Sequence, residues 1–131
     1  MRIGIDFDNT IVCYDAVFHR VALSEGLIPA DLPVNKRAIR NYLRECDLED
    51  RWTEFQGLVY GTLMADVEPF PGCLKFFTAC RDRGIETCIV SHKTRTPYVG
   101  LPHDLHEAAW GWLRQHGLDG TGHDGGGHRV F

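Results

Sequence analysis

Apolar residues along the chain fall into two kinds of run. Residues 3–7 (Ile-Gly-Ile-Asp-Phe) and 85–90 (Ile-Glu-Thr-Cys-Ile-Val) are short, and turn-forming residues bound them, Asp8-Asn9 after the first and Gly84 before the second. Both predict buried strands. Elsewhere apolar residues return every three or four positions, as in helices with one buried face. One such stripe is Tyr14, Val17, Phe18, Val21 and Ala22, closed by Gly26. A second is Ile39, Tyr42, Leu43 and Cys46, and a third is Trp52, Phe55, Leu58, Val59 and Leu63. Pro29 and Pro33 make 28–35 a connection, since proline interrupts a helix interior. After Pro69-Phe70-Pro71-Gly72 a fourth helix carries Leu74, Phe76, Phe77 and Cys80 and ends at Gly84. A fifth begins near Asp104, with Glu107 at the reciprocal capping position, and ends at Gly117. Its stripe is Leu105, Ala108, Ala109, Trp112 and Leu113. The glycine-rich stretch 118–127 predicts a loop, and Arg129-Val130-Phe131 the opening of a third strand.

Buried strands separated by helices predict the α/β class, with a parallel sheet covered on both faces. A crossover between parallel strands ordinarily uses one helix, so the three-helix stretch 14–69 is an insertion. The expected organisation is one domain over 1–131, with a core of 1–13 and 70–131 and a small helical cap between them.

Composition adds exclusions. A chain of 131 residues with 44% hydrophobic and 24% charged residues suits a single globular core. A net charge of −4 leaves no dense basic stripe for nucleic acid. The one basic cluster, Lys36, Arg37, Arg40 and Arg44, has helical spacing and is expected to be a solvated face. No apolar run approaches the ~20 residues of a membrane span, and the first acid comes too early for a signal peptide. Five cysteines without a C-x-x-C pair predict reduced thiols, and with them a cytoplasmic protein.

The chemistry concentrates in Asp6-Phe7-Asp8-Asn9-Thr10. Side chains alternate in extended backbone, so Asp6 and Asp8 are expected to share a face while Phe7 turns into the core. The pair closes the first strand at its carboxyl end, where open α/β sheets take their ligands. Two carboxylates there need a counter-charge. Mg²⁺ suits one or two carboxylates together with waters and a substrate phosphate. Asn9 and Thr10 are expected to tie the turn by side-chain hydrogen bonds to the backbone. The second strand ends in another polar residue, Ser91, followed by His92 and Lys93. His103, His106, His123 and His128 match no compact zinc-ligand spacing.

Asp6 to Thr10 after a first strand resembles the first motif of the haloacid dehalogenase-like superfamily. Ser91 resembles its second motif, and the helical stretch between resembles its cap. The likeness runs from Met1 to about Gly117. It implies a Rossmann-like parallel sheet and Mg²⁺-dependent hydrolysis of a small phosphorylated metabolite. On that resemblance Asp6 is the nucleophile that forms an aspartyl-phosphate, and Asp8 is the general acid and then the base. Asp6 and the main-chain carbonyl of Asp8 hold Mg²⁺. Ser91 binds a phosphoryl oxygen, with Asn9 and Thr10 beside it. Asp8 is not needed to cleave a carbon–halogen bond, so the resemblance implies a phosphatase.

The superfamily's later basic and acidic motifs find no counterpart, because Asp119 and Asp124 fall in the glycine-rich loop. A third strand opening at residue 129 would end before them, and Lys93 is expected to supply the basic charge instead. A second expectation is therefore a truncated or degenerate relative that binds phosphate or a protein partner without turnover. Its incomplete sheet would leave an edge open to pairing between two copies.

Overall fold

The computed structural model describes residues 1–91, 93, 95–97 and 104–118, together with the backbone of Gly127–Val130. Along the chain come β1 (Arg2–Asp6), β2 (Val12–Cys13), α1 (Asp15–Ser24), α2 (Lys36–Glu45) and α3 (Glu49–Tyr60). A 3-10 turn (Met64–Asp66) leads to β3 (Glu68–Pro69), α4 (Cys73–Asp82), β4 (Glu86–Val90), α5 (Leu105–Gln115) and β5 (Gly127–Val130). The class is mixed α/β, as the run pattern implied.

β1, β4 and β5 form one parallel sheet in that order. Arg2 lies beside Glu86, Ile5 beside Ile89 and Asp6 beside Val90. On the far side of β4, Val90 lies beside Val130. Ile5 and Ile89 join the core, and Phe7, just past the end of β1, meets Trp112 of α5 edge-on at 5.9 Å.

The expectation of a sheet covered on both faces is corrected. Arg2, Gly4 and Asp6 of β1, with Glu86 and Val90 of β4, are exposed. Of the stripe on α4 only Cys80 is buried, while Leu74 and Phe76 remain exposed. The outer edge of β1 also pairs with no described strand.

The helical stretch leaves through β2 and returns through β3, which pair antiparallel, Val12 beside Pro69 and Cys13 beside Glu68. Inside it Phe18 stacks on Trp52 at 4.6 Å, and Val17, Val21, Ile39, Leu43, Phe55 and Val59 are buried around them. Each large apolar side chain removed from water contributes about 1.5–3 kcal/mol, enough to hold three short helices together. Trp112 Nε1 donates to the Val67 carbonyl at 2.8 Å, fixing α5 against the returning chain. The glycines expected to end α1 and α5 adopt left-handed backbone, Gly26 at φ 68° and Gly117 at φ 71°. Half of the expected capping box forms: Asp104 accepts from the Glu107 N–H at 3.0 Å, but the Glu107 carboxylate pairs with Arg114. Among the described residues no helix is long and apolar enough to cross a membrane.

Candidate functional site

β1 ends at Asp6, one residue earlier than the apolar run suggested. The chain then turns so tightly that the Phe7 carbonyl accepts from the N–H groups of Thr10, Ile11 and Val12, at 3.4, 3.0 and 3.2 Å. Asn9 takes the left-handed conformation, φ 61°, which asparagine tolerates better than most residues. Main-chain bonds close this turn. Neither Asn9 nor Thr10 forms a side-chain hydrogen bond to a described residue, so that expectation is corrected; both side chains are exposed at the sheet end.

The two acids occupy different environments. Asp6 is exposed, its Oδ1 accepts the Phe7 N–H at 2.9 Å, and it has no ion pair among the described residues. With Thr10 it borders a cavity of about 350 Å³ whose far wall is Phe70, Phe76 and Phe77. Asp8 is drawn inward, with 25% of its side chain exposed. Its carboxylate accepts from the Tyr14 hydroxyl and, at 3.1 Å, from Lys93 Nζ. At Asp8 the counter-charge that the sequence demanded is thus the Lys93 ammonium.

Lys93 is held from several sides. Its side chain is 3% exposed and its Nζ sits 3.9 Å from the centre of the Tyr60 ring. Its N–H donates to the buried Ser91 hydroxyl at 3.2 Å, and its carbonyl lies 2.6 Å from His106 Nε2. Lys93 thus links the end of β1 to the end of β4, through Asp8 on one side and Ser91 on the other. His92, His103, His123, Asp119 and Asp124 lie outside the described residues, as do the side chains of β5, His128 included.

The basic cluster needs correction. Arg37, Arg40 and Arg44 are exposed, as expected, but Lys36 turns inward. Its Nζ donates to the Tyr60 hydroxyl at 2.7 Å and lies 5.2–5.4 Å from the ring centres of Tyr14, Phe18 and Tyr60. The signal was present: Lys36, Ile39 and Leu43 stand at i, i+3 and i+7, on the apolar face. Asp15 places it, because Asp15 Oδ1 accepts the Lys36 N–H at 2.8 Å.

Burial and charge set the ionisation of this group. Burial lowers the Lys36 ammonium to about 8, with Lys93 and Arg40 pushing the same way and Asp8 and Asp15 opposing. Burial lowers Lys93 too, against the pull of Asp8. The Tyr14 hydroxyl is raised well above its ordinary value by burial and then by the charge of Asp8, with a smaller push from Asp6. Tyr60 is pushed up to about 12, again by burial first and Asp8 second. Both phenols therefore remain hydrogen-bond donors through the neutral range.

No three His, Cys, Asp or Glu side chains gather into a metal-holding group among the described residues. Asp6 nevertheless fits one metal ligand, being an exposed carboxylate with no competing cation among the described residues. The Asp8 carboxylate is already engaged by Lys93 and Tyr14. Compared with known proteins, the chain matches no family model, no curated protein and no solved structure.

Proposed function

We propose that the chain is a Mg²⁺-dependent phosphomonoester hydrolase with a Rossmann-like core of the haloacid dehalogenase type, acting on a small phosphorylated metabolite. One observation carries the reading. Two acids one residue apart at a strand tip have opposite surroundings, Asp6 exposed and without an ion pair among the described residues, Asp8 paired with a buried lysine and hydrogen-bonded by a tyrosine. Environments that separate two neighbouring carboxylates also separate their roles.

Asp6 Oδ attacks phosphorus, the bond to the leaving oxygen breaks, and Asp8 delivers a proton to that oxygen. For Asp8 to carry this proton its pair with Lys93 must loosen. The incoming phosphoryl group supplies the means, since its oxygens compete for the same ammonium, with the Ser91 hydroxyl beside it. Water then attacks phosphorus, Asp8 takes its proton, and the bond to Asp6 breaks to release phosphate. Mg²⁺ held by Asp6 and the Asp8 carbonyl would neutralise charge on the phosphoryl oxygens.

A second reading, phosphate binding without turnover, is favoured by the single carboxylate left free for a metal. Hydrolysis of p-nitrophenyl phosphate with and without Mg²⁺, beside calorimetry with inorganic phosphate, separates the two. The expected result is Mg²⁺-dependent turnover that falls about a thousandfold or more in Asp6→Asn, with an unchanged circular dichroism spectrum. Equal turnover in that variant removes the mechanism. Phosphate binding with no turnover in the wild type selects the second reading.

A further inference from the structure

Four separate parts of the chain bring polar groups to the space around Asp8. Tyr14 precedes α1, Lys36 opens α2, Tyr60 closes α3, and Lys93 follows β4. Lys93 has its counter-ion in Asp8, but Lys36 has no carboxylate at ion-pair distance among the described residues. Its ammonium carries three donors and the Tyr60 hydroxyl takes one of them. Aromatic faces offset only part of what an ammonium loses on leaving water.

The two lysines also share their surroundings. Both ammonium groups lie over Tyr60, at 5.2 Å for Lys36 and 3.9 Å for Lys93, and over Tyr14, at 5.3 and 5.7 Å. Two like charges over the same rings repel each other, and Asp8 compensates one of them. Lys36 is nonetheless deliberately held: Asp15 fixes its backbone N–H and Asn35 caps its helix by accepting from the Ala38 N–H at 3.0 Å.

We infer that Lys36 is a specificity residue that seats a second negative charge, so the ligand is a phosphate ester whose leaving group itself carries an anion such as a carboxylate. This rests on the proposed phosphate chemistry at Asp6 and Asp8. Lys36 donates to Tyr60 and not to Asp8 or Ser91, so the phosphoryl group is assigned to Ser91 and Lys93 and the rest of the ligand to Lys36. The rings of Tyr14, Phe18 and Tyr60 form an apolar wall beside it. A neutral leaving group would leave the ammonium uncompensated, whereas an anionic one pairs with its two remaining donors.

The matched probes are phenyl phosphate and 4-carboxyphenyl phosphate, which differ by one carboxylate. The wild-type protein is expected to favour the carboxylated ester by about tenfold or more in kcat/KM, the worth of one partly desolvated charge pair. Lys36→Met should collapse that ratio towards one, and Lys36→Arg should keep most of it. No preference in the wild type, or an equal loss for both esters in Lys36→Met, overturns the inference, because a merely structural lysine would not move the ratio. If neither ester is hydrolysed, the proposed turnover fails, and calorimetry with the same two probes still decides. Tighter binding of the carboxylated ester that depends on Lys36 supports the inference. Equal or undetectable binding of both overturns it.

Discussion

Replacing Lys93 with methionine keeps the length of the side chain and removes its charge, which isolates the pair with Asp8. At 3.1 Å and an effective dielectric of ~20 the attraction between the two charges is about 5 kcal/mol. Desolvation of a lysine whose side chain is 3% exposed cancels much of that gain. Stranding one member of a buried pair costs ~3–5 kcal/mol, but Asp8 is 25% exposed and keeps the Tyr14 hydroxyl. The expected destabilisation of Lys93→Met is therefore about 2 kcal/mol. For a chain of 131 residues that is a fall of about 7 °C in Tm. Asp8→Asn should cost more, about 3 kcal/mol, because it strands an ammonium with almost no access to water. Urea unfolding of both single variants and the double variant completes a cycle, and the double should lose less than the sum by about 1.5 kcal/mol. Additivity within ~0.5 kcal/mol would mean that the two groups do not interact in solution.

The depressed Lys36 ammonium makes a pH prediction. Its folded value of about 8 lies below the ordinary lysine value of 10.5, so between these the unfolded chain binds more protons and stability rises with pH. Asp8, Asp15, Lys93 and Arg40 act on that ammonium, and Tyr14 and Tyr60 flank it, so the comparison is with Lys36→Met. The wild type should gain on that variant as pH rises from 8 towards 10, and a constant difference by urea unfolding would refute it. Trp112→Phe leaves the Val67 carbonyl unpaired and opens space beneath Phe7, so it should cost about 2 kcal/mol. A loss below ~0.5 kcal/mol by the same method would mean that this bond does not anchor α5.

Periodicity revealed the helices because each buries a stripe whose spacing is a local property. Ile39 and Leu43, or Trp52, Phe55 and Val59, needed no knowledge of their partners. What the apolar runs could not show was how much of the sheet is covered. Ile3 and Ile5 look alike whether one neighbour or two pack on β1, since a strand's burial belongs to the sheet. The acids at the end of β1 were legible as a pair. Alternation stops where β1 ends at Asp6, however, so the shared face expected of Asp6 and Asp8 gives way to an exposed Asp6 and a half-buried Asp8. The partner of Asp8 was less legible, since 85 residues separate it from Lys93 and only the parallel pairing of β1 with β4 closes that distance. Lys36 was misjudged for a different reason. Charge clusters are usually solvated, and that expectation outweighed a helical spacing that set Lys36 with the buried residues.

The same aromatic side chains serve two purposes, and this ties the helical layer to the chemistry. Tyr14 packs on Phe18 and Tyr60, and Phe18 stacks on Trp52, so these rings are part of the core that holds α1 and α3 together. Their polar edges face the other way, Tyr14 to Asp8 and Tyr60 to Lys36, while the Tyr60 ring lies beneath Lys93. A helical layer that shifted against the sheet would therefore disturb the counter-ion balance at Asp8 at once. Conversely, a ligand with one anion at Lys93 and a second at Lys36 would connect α2 to the residues after β4 and hold the layer against the sheet. The packing of the helical layer and the placing of Lys36 and Lys93 about Asp8 are in this way properties of one cluster.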